Sequence, residues 1–136
     1  MKDTIKDNKI NLLFDVTEAL TGISRKSIVG KKRNKEFILP RHIVGYMLHK
    51  ELDITIMESG KLIGRDHSTV HHYCKNYDDN MKFYKEFREL YKLISESYWS
   101  QIMEADVKDL SLELKQLQNL IDILNEKKKK LLTITN

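Results

Sequence analysis

The sequence predicts an all-α protein, and three observations carry that reading. Apolar residues recur at intervals of three and four along most of the chain, the spacing of one helical face. Only five Gly and one Pro occur in 136 residues, none of either after Gly64, too few turn residues for a β-rich fold. Charged residues make up 32% of the chain, a share that suits helices with solvated outer faces.

Residues 1–7 are polar and read as a frayed end. From about Asn8, the apolar residues Ile10, Leu13, Phe14, Val16, Ala19 and Leu20 mark a core-facing helix that Gly22 ends. Ser24 is placed to cap a short helical turn, which Gly30 breaks. Lys31, Lys32, Arg33 and Lys35 then form a basic loop, with Arg25 and Lys26 just before it. Alone, such a cluster is a solvated loop. Ahead of a helix-turn-helix it gains a second use, because a loop arginine can enter the minor groove beside a major-groove reader.

The next helix opens around Phe37–His42, with Pro40 in a first-turn position where its missing N–H costs nothing. Ile43, Val44, Met47, Leu48 and Leu52 make its apolar face. His42 and His49 read as surface residues, and Arg41 and Lys50 as candidate phosphate contacts. Thr55 caps a short helix through Leu62, and Gly64 supplies the backbone freedom of a tight turn. Asp66 is placed to cap a recognition helix reaching about Tyr77, with Val70, Tyr73, Cys74 and Tyr77 facing inward. On its other side His67, Ser68, Thr69, His71 and His72 crowd little more than one turn. Short polar side chains at the start of such a helix suit contact with base edges. The segments together read helix, turn, helix.

The octapeptide Arg65-Asp66-His67-Ser68-Thr69-Val70-His71-His72 resembles the signature of the C-terminal DNA-binding domain of the bacterial replication initiator DnaA. The resemblance extends upstream through residues 30–35, Leu39-Pro40-Arg41-His42 and Lys50-Glu51-Leu52, and covers roughly residues 8–77. It implies a helix-turn-helix bundle that binds double-stranded DNA. Carried over position by position, it implies that Arg33 reads the minor groove and that Asp66, His67 and Ser68 read the major groove. Lys31, Lys32, Lys35, Arg41, Lys50, Arg65, Thr69 and His72 would contact phosphates or support the readers. The chemistry suits these roles: a carboxylate accepts from the cytosine amino group, and a hydroxyl donates or accepts. The chain departs from the family pattern at Lys35, commonly arginine; at Leu39, often basic; at Ile56-Met57, usually Leu-Pro; before Arg65, where the family often has one more glycine; at Ser68, usually threonine; and at Tyr73, commonly a small residue.

Charge is divided along the chain. Residues 1–77 hold 14 Lys and Arg against 9 Asp and Glu, a net +5, while residues 78–136 hold 10 against 11, a net −1. The basic excess lies with the part that resembles a DNA reader. A single cysteine, Cys74, excludes an internal disulfide and fits a reducing compartment. No apolar run reaches membrane-spanning length and no signal peptide is evident, so a cytoplasmic protein without membrane contact is expected. His67, His71 and Cys74 have the spacing of metal ligands on one helical face, but no second ligand cluster completes a site, and no metal or other cofactor is expected. No Gly-x-x-x-x-Gly-Lys-Ser/Thr phosphate loop occurs and no oriented acid–base pair is evident, so neither ATPase nor other enzymatic activity is expected of these residues.

Asp78-Asp79-Asn80 reads as the close of the recognition domain and the cap of a new helix. Phe83, Phe87, Leu90, Tyr91, Ile94 and Tyr98 continue a helical face. Val107, Leu110, Leu114, Leu117, Ile121, Leu124, Lys128 and Leu131 then alternate steps of three and four, a heptad repeat. Branched residues at one core position with Leu at the other favour a parallel dimer. Leu120 and Ile123 widen the apolar face, as a helix folded into a bundle would require, and a hairpin turn near 95–100 or Asp106 is the competing arrangement. The expected organisation is a DnaA-like helix-turn-helix domain over 1–78 and a helical extension over 79–136. The extension is a long C-terminal helix or hairpin that makes a homodimer through Val107, Leu110, Leu114, Leu117, Ile121 and Leu124. The functional expectation is sequence-specific duplex binding in the regulation of replication or transcription. The alternative is an adaptor whose C-terminal helix binds a replication or regulatory protein.

Overall fold

The computed structural model describes residues 2–135. Those residues form α-helices without strands: α1 (Lys2–Thr21), α2 (Arg25–Val29), α3 (Lys35–Lys50), α4 (Ile56–Leu62), α5 (His67–Lys75), α6 (Tyr77–Phe83) and α7 (Lys85–Thr135). They divide into two compact units, residues 1–99 and residues 100–136.

In the first unit, α3 is the central element. It packs against α1, α2, α4 and α5, and Ile43, Val44, Met47 and Leu48 are fully buried in it. Leu13 and Phe14 of α1, Ile28 of α2, Ile63 after α4 and Val70 of α5 complete the apolar centre. Burial of this kind supplies most of a small helical domain's stability, at about 25 cal/mol per Å² of apolar surface. The α1 periodicity is borne out at Ile10, Leu13, Phe14 and Val16, which are buried, but Ala19 and Leu20 are exposed. The frayed start expected over residues 1–7 is helical from Lys2. Lys6 reaches across to Glu58 of α4 at 2.7 Å, which ties that end down.

Ser24 and Thr55 cap as expected, accepting from the backbone N–H of Ser27 and Glu58 at 3.2 Å each. α3 starts earlier than the proline suggested: it begins at Lys35, and Pro40 lies inside it. The N–H that Pro40 lacks would have gone to the carbonyl of Glu36, an exposed residue in the first turn of the helix. Lys35 is therefore the first residue of a helix and not part of a loop.

The first unit does not close at Asp78. Asp78, Asp79 and Asn80 lie inside α6, and the helix break comes at Tyr84, whose backbone is extended. Phe87, Ile94 and Tyr98 of α7 are buried. Glu51, just after α3, accepts from the Tyr91 hydroxyl and the Trp99 indole N–H at 2.7 Å each. The Tyr98 hydroxyl donates to the Lys9 carbonyl at 3.0 Å, and burial pushes its pKa up to about 12. A stacked pair, Tyr46 on Tyr77 with centroids 4.0 Å apart, adds Tyr91 edge-on. These aromatic and carboxylate contacts carry the unit on to Trp99, well past the boundary expected at 78.

Among the described residues, the second unit, from Ser100 onward, consists of α7 residues alone. No turn interrupts α7 near residues 95–100 or at Asp106, so the hairpin arrangement is excluded and the long-helix alternative holds. Among the described residues no helix is long and apolar enough to cross a membrane.

Candidate nucleic-acid interface

The turn between α4 and α5 is built from close backbone contacts. Gly64 has φ +67°, a left-handed conformation that costs other residues roughly 1 kcal/mol or more. A Cβ there would also sit 2.4 Å from the Val29 carbonyl oxygen. A Cβ on Gly60 would sit 2.7 Å from the Arg65 carbonyl oxygen and 3.2 Å from the His67 nitrogen. The absence of that carbon lets α4 press on the start of α5, while the Gly60 carbonyl accepts from the Arg65 N–H at 2.8 Å. The entry angle of α5 is set by these contacts.

Asp66 stands at the N-cap of α5, as expected, but its carboxylate makes no capping bond. The first turn is closed instead by the Asp66 carbonyl, which accepts from the Thr69 N–H at 3.1 Å. The exposed carboxylate is thereby left available at the helix start. His67 and Ser68 are exposed beside it, Thr69 is half-buried, and Val70 is fully buried on the opposite face. α5 ends at Lys75, short of the expected Tyr77, because Asn76 serves as the junction with α6. His72 is exposed and its Nε2 lies 2.9 Å from the Asn76 amide nitrogen, so the imidazole takes the acceptor role there.

The outward face of α5 also carries His71 and Lys75, both exposed. His71 belongs to the short polar set that the sequence placed at the start of the recognition helix, whereas Lys75 received no such reading. Its spacing of eight residues from His67 puts it on the same side of the helix.

Two arginines hold the basic loop in place. The Arg41 side chain is only 5% exposed. Its Nε donates to the Ile28 carbonyl at 2.8 Å, and its Nη2 to the carbonyls of Ser27 at 3.2 Å and Lys32 at 3.3 Å. This corrects the expectation that Arg41 touches phosphate: its guanidinium is buried against three backbone oxygens and has almost no surface to offer. Burial lowers its pKa, and the nearby Arg65 charge adds to that. Arg65, half-buried, donates from Nη2 to the Gly30 carbonyl at 2.9 Å and from Nη1 to its neighbour's Gly64 carbonyl at 2.9 Å. It thereby fastens the turn ahead of α5 to the end of α2. Charge-assisted bonds of this kind are about twice as strong as neutral ones. The loop held between these anchors presents Lys31, Lys32 and Arg33 to solvent, with Lys35 exposed at the start of α3 and Lys50 exposed at its end. Arg25 is spent elsewhere: it donates to the Asn11 side chain at 2.7 Å and lies 4.2 Å over the Phe14 ring.

The histidines of α3 are half-buried, contrary to the surface expectation. His49 Nδ1 lies 2.7 Å from the Ile54 carbonyl, so that nitrogen carries the proton. The His42 ring stacks on Tyr73 at 4.2 Å and meets Phe87 edge-on at 5.1 Å. Burial brings its pKa down to about 4, so it is neutral at pH 7. Tyr73, where a small residue is common in the resembling family, is accommodated by Gly45: a Cβ there would lie 2.9 Å from the Tyr73 ring. Cys74 is half-buried, with its thiol pKa raised by burial. Among the described residues, no three His, Cys, Asp or Glu side chains converge as a metal site would need.

This arrangement, a short helix, a glycine turn and an exposed polar helix start beside an anchored basic loop, has a counterpart among known families. The family model described as the bacterial dnaA protein helix-turn-helix matches residues 10–76. Residues 10–76 are a DnaA-type helix-turn-helix domain. The chain is similar to the chromosomal replication initiator protein DnaA of Leptospira biflexa, with 30% identity over 84 residues, 62% of this chain and 19% of that protein. It is 45% identical over 60 residues to the DnaA of Herpetosiphon aurantiacus, 43% of this chain and 13% of that protein. With the DnaA of Roseiflexus castenholzii it shares 39% identity over 57 residues, 41% of this chain and 12% of that protein. The chain thus spans at most about a fifth of the length of these DnaA relatives. No solved structure matches. The DnaA-type domain ends within the first compact unit, and the residues of α6 and the first turns of α7 complete that unit around it.

Proposed function

We propose that the chain binds duplex DNA sequence-specifically through its DnaA-type domain and acts in the regulation of replication or transcription. The observation that carries this is the exposed set Asp66, His67 and Ser68 at the start of α5, beside a basic loop that Arg41 and Arg65 hold in place. In this reading Asp66, His67 and Ser68 contact base edges in the major groove and Arg33 enters the minor groove. Lys31, Lys32, Lys35 and Lys50 neutralise phosphates, Thr69 and His72 support the readers, and Arg65 braces the turn. Nothing in this function calls for ATP hydrolysis by these residues. The seam of Val107, Leu110, Leu114, Leu117, Ile121 and Leu124 pairs two copies of the chain. These six residues are 49% to 66% exposed in the single chain, more apolar surface than an isolated helix face keeps in water without a partner.

The test separates reading from positioning. Arg33→Ala and His67→Ala are expected to cost about 1–3 kcal/mol of binding on an initiator-type site while leaving binding to scrambled duplex nearly unchanged. Lys50→Ala is expected to weaken binding on both sequences alike. Equal losses on matched and scrambled duplex for all three variants contradict the assigned roles. Leu117→Lys is expected to turn the dimer into a monomer by light scattering, and an unchanged mass contradicts the seam.

The same exposed apolar face favours a second reading, in which the C-terminal helix binds a replication or regulatory protein and the chain is an adaptor. A chain that is monomeric and binds neither duplex supports that reading over the first.

A further inference from the structure

We propose that the C-terminal seam pairs two copies of this chain antiparallel, with residue pairs of the two helices centred on Asn119. This rests on the dimer of the preceding section and assigns its direction. The core positions alone favour a parallel pair, through Val107 and Ile121 with Leu at the alternate positions. The positions beside the core and Lys128 point the other way.

In a parallel pair, symmetry sets each core residue against its own copy. Lys128 would then face the partner's Lys128 across the axis, two like charges forced together. At the flanks, Leu120 would face the partner's Asn125, Lys127 the partner's Leu132, and Glu113 the partner's Gln118. No flanking pair brings opposite charges together, and two set an apolar side chain against a polar or charged one.

In the antiparallel pair, core residues of the two kinds face each other. Leu114 meets the partner's Leu124, Leu117 the partner's Ile121, and Leu110 the partner's Lys128. The Lys128 stem can cover Leu110 while its ammonium reaches water. At the flanks Glu113 faces the partner's Lys127, and by symmetry this opposite-charge pair occurs at both ends. Leu120, 57% exposed in the single chain, meets the partner's Leu120 beside the central layer and extends the apolar contact. On the other flank Gln118 meets the partner's Gln118, two side chains able to bond to one another. Gln118 already donates to Asp122 within its own helix at 3.0 Å, which holds it on that flank. Charge complementarity, the placement of Leu120 and the relief of Lys128 thus select one direction. The two chains then enter the seam at opposite ends.

Disulfide trapping in the full chain tests the direction. In a Cys74→Ser background, Leu110→Cys and Lys128→Cys proteins are oxidised separately and as a mixture. The antiparallel pair predicts a disulfide dimer in the mixture, joining one variant to the other, and none in either variant alone. Within it, the two copies of residue 110 lie about 27 Å apart along the axis, eighteen residues at 1.5 Å each. A disulfide dimer of either variant alone shows a parallel pair and overturns the proposal. No disulfide in any sample overturns the pairing itself. A charge swap gives a second readout that removes no core residue. Lys127→Glu is expected to raise the dimer dissociation constant severalfold, and adding Glu113→Lys to restore it; no restoration overturns the proposal. Duplex binding by the same proteins is followed alongside. Lost pairing with intact DNA binding sinks only the seam, and intact pairing without DNA binding sinks only the DNA reading.

Discussion

The α4–α5 turn with its basic loop and the second unit of α7 both present exposed residues that point to a partner, but by opposite means. Around the turn, the exposed side chains are held by backbone geometry beneath them: Gly60 and Gly64 admit contacts that no Cβ would allow, and Arg41 and Arg65 join α2, the loop and the turn through main-chain oxygens. In the second unit the seam side chains are exposed, and the message is carried by the repeat and charge of the side chains themselves. A surface built in the first way is shaped before its ligand arrives, which lowers the ordering cost of binding. In the proposed dimer, a surface built in the second way is completed by the partner.

The contrast breaks most sharply at the turn. Gly64→Val combines a positive φ with a 2.4 Å approach to the Val29 carbonyl, and is expected to cost about 3 kcal/mol or more of unfolding free energy. Urea denaturation of the full chain measures it. A loss below about 1 kcal/mol would mean that the turn is softer than these distances imply.

Arg41→Lys comes next. Lysine keeps the charge but cannot serve three carbonyls with a planar fork, so stability is expected to fall by about 2 kcal/mol. Full stability with weakened duplex binding would instead return Arg41 to a phosphate contact.

His42 sharpens the same region through pH. Its folded pKa, about 4, lies below the ordinary 6.5, so between these values the unfolded chain binds the extra proton. Its contribution is complete above pH 6.5 and is lost as pH falls through that window. From pH 7 to pH 5 the loss is expected to be about 2 kcal/mol, and His42→Gln should remove that part of the pH dependence. An equal slope in the variant assigns the effect to other groups. The smallest effect is expected at Ser68→Ala, about 1 kcal/mol of binding to the matched site with no change in urea midpoint. A shifted midpoint would make Ser68 a structural residue.

The helices and the helix-turn-helix were legible because periodicity and turn chemistry are local: Thr55, Gly64 and Val70 stand where the sequence placed them. Arg41 was misread because an arginine beside a basic loop looks the same whether it reaches outward or inward. Only the placement of the Ser27, Ile28 and Lys32 carbonyls decides. Asp66 was read correctly as the cap position but wrongly as the capping side chain, since a backbone carbonyl made the bond instead. The unit's continuation to Trp99 was hidden for a similar reason: Glu51 lies 40 and 48 residues from the Tyr91 and Trp99 side chains that it accepts from. Periodicity reports that α7 has an apolar face, not which residues that face meets.

The central claim is that the start of α5 reads bases. The most direct measurement is binding of the full chain to a duplex with an initiator-type site and to a scrambled duplex, each at two salt concentrations. Phosphate contacts weaken steeply with salt, whereas discrimination by base contacts persists. Base reading by the start of α5 predicts tighter binding to the matched duplex, with a ratio that holds when salt is raised. Equal affinities that fall together with salt would contradict it.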